Sequence, residues 1–310
     1  MRVAVVDIGT NSTRLLVADV DVATGRLTEL ARRSTVTRLG VGVERTGRLS
    51  DEGMARVFAA LDAYATEIDE LGARLRIAVL TSATRDAANG PEFTERVSTD
   101  YGLDARTIPG EEEARLSFLG ATSERDPADP RAIVVLDIGG GSTEFIAGRG
   151  HEVRFHVSTQ IGVVRLSERH LHDDPPTPAQ LAAVAADARA GFADAIPADV
   201  RSSVDAMIAV AGTATSMASI DQALEPYDPS RVDGYVITRD ACEAIGARLA
   251  AIPEAERRAT PGLHPDRAPT IVAGAVLITE AMRAFGLTTA EVSEHDILHG
   301  VALDAAGARK

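Results

Sequence analysis

The chain has 310 residues, about twice the length usual for one domain, so its length predicts two domains. Apolar residues make up 45% of the sequence and charged residues 25%, which excludes a disordered or fibrous chain. No apolar run approaches the roughly 20 residues of a membrane span, and no signal-peptide pattern is visible. We therefore expect a cytoplasmic protein with no membrane partner.

Charge and single residue types exclude several chemistries. The net charge of −14 argues against a nucleic-acid partner, because such binding needs clustered basic residues. Lys310 is the only lysine, which excludes the P-loop lysine, the kinase strand lysine and Schiff-base catalysis. Cys242 is the only cysteine, so there is no internal disulfide and no cysteine-rich zinc site. Its helix-like context predicts a small buried thiol and not a nucleophile.

An internal repeat organises the chain. Residues 5–13 (VVDIGTNST) and 135–143 (VLDIGGGST) agree at six of nine positions and lie 130 residues apart. In each copy an apolar strand ends in aspartate, a turn of small and hydroxyl residues follows, and a second strand comes next, which is typical of a β-hairpin. No helix follows the glycines and no G-x-G-x-x-G occurs, which excludes the dinucleotide fingerprint. The repeat predicts two related halves.

Between the two copies, strands alternate with helices. Ser50 predicts the start of a long helix that ends before Gly72. The pattern then predicts, in order, a strand at 77–80, a helix from the TSATR segment at 81–85, a strand near 105–108 and a helix opened by Pro109 and Gly110. Residues 121–131, rich in Pro, Asp and Glu, are typical of a linker.

The second half continues the alternation. It predicts strands at 133–136, 144–147 and 153–157, a helix capped by Thr177 with Pro178 at its first position, a buried strand at 204–210 leading into a third small-residue turn, helices near 239–251 and 268–285, a strand at 289–293 and a last helix over about 294–304. This pattern predicts α/β domains at 1–125 and 126–310 that face one cleft, with the last helix able to pack back on the first domain.

Six segments carry a family resemblance: residues 5–16, 81–85, 108–116, 134–145, 210–215 and 293–301. In order and spacing they resemble the exopolyphosphatase and guanosine pentaphosphate phosphohydrolase family, within the actin, Hsp70 and sugar-kinase superfold. The chain is similar to the short members that lack the additional HD-type domain. The resemblance implies an α/β fold of two related actin-like (ribonuclease H-like) domains with a cleft between them.

The small-residue turns are candidates for phosphate binding. Without a lysine, backbone N–H groups that approach phosphate oxygens closely are the natural alternative, and arginine side chains add charge. This argument predicts that the two hairpin turns bind phosphate. The resemblance implies the same role for the arginines and for the third turn. The third turn could also be an ordinary strand-to-helix turn. The predicted phosphate-binding residues are Gly9, Thr10, Asn11, Ser12, Arg14, Arg85, Gly139, Gly140, Gly141, Ser142, Thr143, Gly212 and Thr213.

Carboxylates supply the other predicted roles. Carboxylate oxygens suit Mg²⁺, and the resemblance implies Asp137 and Glu144 as metal-associated acids, with Asp7 as a symmetric third. Glu144 could instead be a solvated strand residue. The resemblance also implies that Glu113, which directly precedes Ala-Arg, is the catalytic base. Its neighbours Glu111 and Glu112 need only favour the helix dipole.

A further motif, HDILH at 295–299, places two histidines four residues apart with an acid between them. On a helix this spacing imitates a zinc-peptidase site. The pattern has Asp where that motif has Glu, and Glu294 aligns with the final acidic segment of the family. We therefore favour a helix-surface or interdomain role for His295 and His299.

The resemblance implies an Mg²⁺-dependent exopolyphosphatase that removes terminal phosphate from inorganic polyphosphate, with a preference for short chains. Guanosine pentaphosphate, a stringent-response nucleotide, is the alternative substrate. A small-molecule kinase of the same superfold is a rival that the EEEAR segment at 111–115 disfavours. A non-catalytic nucleotide or polyphosphate sensor is a rival of another class. A homodimer is the default assembly.

Overall fold

The computed structural model describes residues 1–126, 128–150 and 152–307. The chain divides into two compact units. Unit 1 comprises Met1–Ser123 together with the chain from Asp296 onward, and unit 2 comprises Glu124–His295. The sequence predicts a boundary after residue 125, whereas in the structure unit 2 begins at Glu124 and the carboxy-terminal segment is grouped with unit 1.

Both units are built from alternating strands and helices. The strands are β1 (Arg2–Ile8), β2 (Ser12–Val20), β3 (Leu27–Val36), β4 (Leu75–Leu80), β5 (Asp104–Thr107), β6 (Ala132–Ile138), β7 (Thr143–Arg149), β8 (Glu152–Thr159), β9 (Ala206–Val210), β10 (Val236–Thr238) and β11 (Thr289–Val292). The helices are α1 (Val43–Thr46), α2 (Asp51–Leu71), α3 (Ser82–Asp86), α4 (Gly90–Tyr101), α5 (Gly110–Ala121), α6 (Val163–His170), α7 (Pro178–Ala195), α8 (Ala198–Ser203), α9 (Ala211–Asp221), α10 (Pro229–Val232), α11 (Arg239–Ala250), α12 (Glu254–Arg257), α13 (Ile271–Ala284) and α14 (Ile297–Ala305), with a short 3-10 helix at Pro265–Arg267.

The repeat seen in the sequence is a repeat of topology. The sheet of unit 1 has the order β3-β2-β1-β4-β5, and that of unit 2 has the order β10-β11-β9-β6-β7-β8. In both, the first strand pairs antiparallel with the second and parallel with a later strand that follows a helical crossover. The predicted hairpins are therefore confirmed, and β1 and β6 occupy equivalent places in their sheets.

Both faces of the unit 1 sheet are covered. Alternate residues of β1 point to opposite faces, as a strand requires. Ala4, Val6 and Ile8 belong to a buried cluster with residues of α2 and α4, whereas Val3 and Val5 belong to a second cluster with residues of α5 and α14. The middle of the strand is consequently apolar on both sides, and the buried residue Asp7 comes near its carboxyl end.

Unit 2 has one large core, formed by residues of β6, β7 and β9 with α7, α9, α11 and α13. Cys242 on α11 is part of this core and is fully buried. Burial raises the pKa of its thiol to about 12, and the nearby carboxylates of Asp221 and Glu243 add to the rise. The prediction that Cys242 is a core thiol is confirmed.

The helix ends follow the predicted local signals. The Ser50 side chain accepts the N–H of Gly53 at the start of α2, and Gly72 ends that helix in the left-handed conformation. Thr177 caps α7 in a capping box, with proline at the first helical position.

Two glycines allow α5 and α14 to pack at very short range in unit 1. A Cβ atom on Gly300 of α14 would lie 1.8 Å from the carbonyl oxygen of Leu116 on α5. In the other direction, a Cβ atom on Gly120 would lie 1.9 Å from the carbonyl oxygen of Asp296. Real Cβ atoms do not approach so closely, so each helix backbone fits into a gap that only glycine leaves open.

We expect the Gly300→Ala substitution to lower the free energy of unfolding of unit 1 by about 1–3 kcal/mol, because α14 must move away from α5. Chemical unfolding followed by circular dichroism, with hydrogen exchange to locate the loss in α5 and α14, measures the effect. Gly53→Ala is the control, since its new methyl would meet Ser50 and Leu39 at 3.1–3.4 Å and gain helix propensity. Equal losses in both variants would contradict the close-packing account.

Candidate active site

The first predicted phosphate turn joins β1 to β2 in unit 1. Its closing hydrogen bond runs from the N–H of Gly9 to the carbonyl of Ser12 at 2.9 Å, and Thr10 and Asn11 between them are buried. The carbonyl of Thr10 accepts the N–H of Gly40 at 2.8 Å. The segment Thr37–Gly40 is thus hydrogen-bonded to the turn.

The carbonyl of Asn11 is occupied in the same way. It accepts the N–H groups of Thr37 and Arg38 at 3.0 and 2.9 Å. The segment also packs closely, because a Cβ atom on Gly40 would lie 2.2 Å from the Thr10 side chain. Arg38 has a positive φ of 51°, unusual for a residue with a side chain.

The second predicted turn joins β6 to β7 in unit 2 and is built alike. The N–H of Gly139 donates to the carbonyl of Ser142 at 2.9 Å. The carbonyls of Gly139 and Gly140 accept the first N–H groups of α6, from Val163 and Val164, at 3.0 and 2.8 Å. A Cβ atom on Gly162, which precedes α6, would lie 2.4 Å from the Gly140 carbonyl.

These contacts decide which way the turn N–H groups point. In a trans peptide group the N–H of one residue points opposite to the carbonyl of the residue before it. The carbonyls of Gly139 and Gly140 face α6, so the N–H groups of Gly140 and Gly141 point away from it. By the same geometry, the N–H groups of Asn11 and Ser12 point away from Thr37–Gly40. Both turns therefore present adjacent donors suited to an anion.

The two hairpins differ in the residue pair beside the turn. In unit 1, Asp7 lies directly opposite Arg14 in the strand register, whereas the equivalent positions of unit 2 are Asp137 opposite Glu144. Residues directly opposite in an antiparallel pair share a face of the sheet, with Cβ atoms roughly 5 Å apart. Unit 1 thus pairs opposite charges and unit 2 places two acids together.

The acidic pair of unit 2 is buried. Glu144 is 1% exposed and Asp137 is 6% exposed. The hydroxyl of Ser158 on β8 donates to Oε1 of Glu144 at 2.7 Å. Glu144 is therefore not the solvated strand residue of the alternative interpretation. Two buried carboxylates on one face offer the oxygen ligands that a hard divalent cation prefers.

In unit 1 the charge of Asp7 is balanced by a side chain. The Nε and Nη2 atoms of Arg14 lie 2.9 and 2.7 Å from Oδ2 of Asp7. Burial nevertheless raises the pKa of Asp7, because desolvation outweighs the attraction of Arg14 and the charge of Asp296 adds to the rise. The other oxygen, Oδ1, is buried and has no hydrogen-bond partner among the described residues.

Glu113, the predicted base, contacts the predicted phosphate-binding Arg85. Glu113 lies in the first turn of α5 and is 8% exposed. Nη1 of Arg85, near the end of α3, donates to Oε2 of Glu113 at 3.1 Å and to the carbonyl of Ile108 at 2.8 Å. The other nitrogen, Nη2, is buried and has no hydrogen-bond partner among the described residues. Burying a guanidinium nitrogen without an acceptor costs free energy, and a bound anion would remove that cost.

The neighbouring acids have surface roles. Glu111 is exposed, and Glu112 forms a pair of hydrogen bonds with Arg115 at 2.9 and 3.1 Å. Arg115 also reaches Asp304 on α14 at 3.1 Å. These contacts form an ion-pair network at the surface of the α5 and α14 pair.

The segment predicted as a third turn is helical in the structure: α9 begins at Ala211, directly after β9, so Gly212 and Thr213 lie in the first turn of this helix in unit 2. The Thr213 hydroxyl donates to the carbonyl of Ile138 at 3.1 Å and so ties α9 to the end of β6. Ala211 has a positive φ of 62°. A Cβ atom on Gly212 would lie 1.9 Å from Nη1 of Arg267, so this guanidinium lies against the Gly212 backbone. Sequence reasoning missed Arg267, because one arginine among many carries no local signal.

The last helix begins later than the sequence predicts. α14 starts at Ile297 because the Asp296 side chain caps it and accepts the N–H of Leu298 at 3.0 Å. The prediction of a helix from residue 294 was wrong, and only one of the two histidines, His299, lies on α14. The helical pair that the zinc motif requires is therefore not formed. His299 is buried, and its Nε2 lies 2.8 Å from Oε1 of Glu29.

Glu294, which precedes this segment in unit 2, is 8% exposed. The Tyr227 hydroxyl donates to its Oε1, and its backbone N–H donates to Oδ1 of Asp233 at 2.9 Å.

Comparison with known proteins identifies the architecture. A profile of the Ppx/GppA phosphatase family matches residues 16–308. The chain belongs to the Ppx/GppA phosphatase family. It is 38% identical to exopolyphosphatase 2 of Mycobacterium tuberculosis, with 99% of both chains covered. Membership in this family confirms the resemblance and the fold class of two related actin-like α/β domains. It also confirms the predicted enzyme class, a phosphoanhydride hydrolase.

Solved structures of Ppx/GppA proteins superpose along the chain. The crystal structure of the Aquifex aeolicus family member has a TM-score of 0.81 and 32% identity, and covers 98% of this chain and 97% of that one. The crystal structure of an exopolyphosphatase from Cytophaga hutchinsonii has a TM-score of 0.88 and 25% identity, and covers 100% of this chain and 99% of that one. Within the described residues, no helix has the length and apolar character needed to cross a membrane.

We expect the Arg85→Lys substitution to weaken the affinity for inorganic tripolyphosphate about tenfold to a hundredfold. The single ammonium of lysine cannot keep the contacts to Glu113 and Ile108 and also provide the donor that Nη2 of Arg85 provides. Isothermal titration calorimetry in EDTA measures the affinity without metal or turnover. Arg115→Lys is the matched control, since Arg115 contacts Glu112 and Asp304 at the surface. An unchanged affinity in Arg85→Lys would remove Arg85 from the binding residues.

Proposed function

We propose that the chain is an Mg²⁺-dependent exopolyphosphatase that releases the terminal phosphate of inorganic polyphosphate. The observation that carries the proposal is the contact between Arg85 and Glu113 in unit 1. A buried carboxylate beside a guanidinium with one unsatisfied nitrogen suits water activation next to a bound phosphate. The 38% identical exopolyphosphatase 2 supports the same activity.

Glu113 is the general base in this proposal. Its carboxylate accepts a proton from the water that attacks the terminal phosphorus. The new bond joins the water oxygen to phosphorus, the bridging P–O bond breaks, and the bridging oxygen leaves with the shortened chain. Arg85 holds the base through Nη1 and offers Nη2 to a phosphate oxygen, so that the developing charge is offset beside the base.

The hairpin turns bind phosphate oxygens through backbone donors. The N–H groups of Asn11 and Ser12 in unit 1, and of Gly140 and Gly141 in unit 2, point away from the segments that hold their turns. Such donors need no lysine and are fixed before the substrate arrives, which limits the entropy lost on binding.

Asp137 and Glu144 are the residues that would hold Mg²⁺. Their burial and their direct opposition in the register give the donor set that fits a hard cation. When bound, Mg²⁺ neutralises phosphate oxygens and so lowers the repulsion that an attacking water meets. Asp7 stays a prediction as a third ligand, since Arg14 already supplies positive charge at the equivalent place in unit 1.

Guanosine pentaphosphate is the alternative substrate. Arg267 lies against Gly212 and adds a positive charge at the start of α9 in unit 2. A nucleotide phosphate, or a further phosphate of the polyphosphate chain, could bind this guanidinium. The short-chain preference, the cytoplasmic location and the homodimer remain predictions.

We expect Glu113→Gln to lower the rate of phosphate release from polyphosphate by about a hundredfold to ten-thousandfold, because the amide cannot accept the proton of water. Phosphate release is measured with Mg²⁺ on short polyphosphate, long polyphosphate, guanosine pentaphosphate and ATP. Glu112→Gln is the matched control on the same helix, since Glu112 contacts Arg115 at the surface and should keep the wild-type rate.

Each outcome of that assay is informative. The preferred substrate of the wild-type protein decides between polyphosphate and guanosine pentaphosphate. Equal rates in Glu113→Gln and the wild type would remove Glu113 as the base. Binding of polyphosphate without any phosphate release would contradict the hydrolase proposal and favour a non-catalytic polyphosphate sensor.

We expect Asp137→Asn and Glu144→Gln each to raise the Mg²⁺ concentration for half-maximal activity about tenfold or more, because each removes one charge from the donor set. Activity is titrated with Mg²⁺ after treatment with EDTA. Glu291→Gln, which breaks an ion pair with Arg125 elsewhere in unit 2, is the control. Asp7→Asn tests the third ligand: a similar rise would make Asp7 one, and wild-type Mg²⁺ dependence would exclude it.

A further inference from the structure

The HDILH segment contains a buried acid with no assigned function. Asp296 is fully buried in unit 1, directly before α14. Its Oδ1 accepts the N–H of Leu298 at 3.0 Å, and its Oδ2 accepts Nη1 of Arg14. The helix cap therefore fixes one carboxylate oxygen and leaves the other for the arginine.

Arg14 is consequently held from two sides. Asp7, its partner in the hairpin register, accepts hydrogen bonds at Oδ2 from Nε and Nη2 of Arg14, at 2.9 and 2.7 Å. Asp296, 282 residues away in the chain, accepts Nη1. Every nitrogen of the guanidinium thus has a carboxylate partner, and rotation about the end of the side chain would break at least one of these contacts. The plane of the guanidinium is fixed beside the first phosphate turn.

The charges favour this arrangement. Arg32 on β3 lies 3.7 Å from Oδ2 of Asp296 and brings a second positive charge. Burial alone would raise the pKa of Asp296, but the charges of Arg14, Arg32 and His299 outweigh it and hold the pKa below its ordinary value. Asp296 is therefore a carboxylate at neutral pH, as an acceptor for Arg14 must be.

The position of Asp296 is itself fixed by packing. A Cβ atom on Gly120 of α5 would lie 1.9 Å from the Asp296 carbonyl, so the start of α14 rests directly on α5. The same helix α5 carries Glu113 in its first turn. One pair of helices in unit 1 therefore places both Glu113 and the carboxylate that holds Arg14.

We propose that Asp296 is a positioning residue for phosphate binding: its buried carboxylate, together with Asp7, holds the Arg14 guanidinium in the orientation that contacts the substrate. The inference rests on the proposed function of Arg14 as a phosphate-binding residue and adds the residue that sets its geometry. Small displacements of a binding group are costly in polyanion hydrolysis, because the energy of an ion contact depends steeply on distance and alignment.

The test is a double-mutant cycle with Asp296→Asn and Arg14→Ala. Asn is as good a helix cap as Asp, so α14 keeps its start while the charge that holds Arg14 is lost. We expect Asp296→Asn to raise KM for tripolyphosphate about tenfold to a hundredfold with a smaller change in kcat. In the Arg14→Ala background the same substitution should change KM less than twofold, because its target is gone.

Asp19→Asn is the matched control. Asp19 faces Arg2 at the far end of the same hairpin, in the same kind of Arg–Asp register pair. It should leave KM unchanged. Thermal unfolding of every variant shows whether a loss of binding follows a loss of fold.

Affinity for tripolyphosphate in EDTA, measured in the Glu113→Gln background, separates this inference from the proposed function. Absence of turnover in the wild-type protein would contradict the proposed hydrolase activity. The positioning role would still hold if Asp296→Asn and Arg14→Ala weaken the affinity for tripolyphosphate to a similar extent and the double variant loses no more than either single variant. Wild-type affinity in Asp296→Asn, additive losses in the cycle, or an equal loss in Asp19→Asn would each overturn the positioning role.

Discussion

The hydrogen bonds that occupy the turn carbonyls are the constraint on which the site depends. In each unit, two consecutive carbonyls of the β-hairpin turn accept N–H groups from a segment of the same unit: Thr37–Gly40 in unit 1, and the start of α6 in unit 2. Because the peptide is trans and planar, fixing the carbonyls also fixes the neighbouring N–H groups on the opposite side. The fold thus orients the backbone donors that we propose for phosphate binding, and this mode of binding needs no lysine.

The two hairpins share a backbone pattern but differ in the charge of one residue. The backbone register is the same, and the aspartate at the end of the first strand is kept. Opposite it stands arginine in unit 1 and glutamate in unit 2. The first pair puts a guanidinium beside the turn, where we propose that it contacts phosphate, whereas the second places two buried carboxylates together, which we propose as ligands of a divalent metal. A single position within the repeat thus separates the phosphate-binding role proposed for unit 1 from the metal-binding role proposed for unit 2.

Packing of α5 against α14 couples the residues proposed for water activation and for phosphate binding. Gly120 and Gly300 let the helix backbones approach so closely that neither helix can shift without the other. Glu113 lies at the start of one helix, and Asp296 caps the other and contacts Arg14. The close packing of the two helices therefore links the position of Glu113, the proposed base, to that of the carboxylate that contacts Arg14, as a reaction governed by positioning requires.

Local patterns in the sequence determined much of this protein. The strand, glycine and hydroxyl pattern of the two repeats predicts both hairpins, and Ser50, Gly72 and Thr177 predict helix ends, because these signals act over a few residues. The family resemblance predicts roles for Glu113 and Arg85, which the structure brings into contact. Tertiary structure alone decided that Asp296 holds Arg14, that Arg267 lies against Gly212, and that Thr37–Gly40 supports the first turn. These contacts join residues far apart in the chain, and they depend on how whole elements pack, which no local pattern of residues encodes.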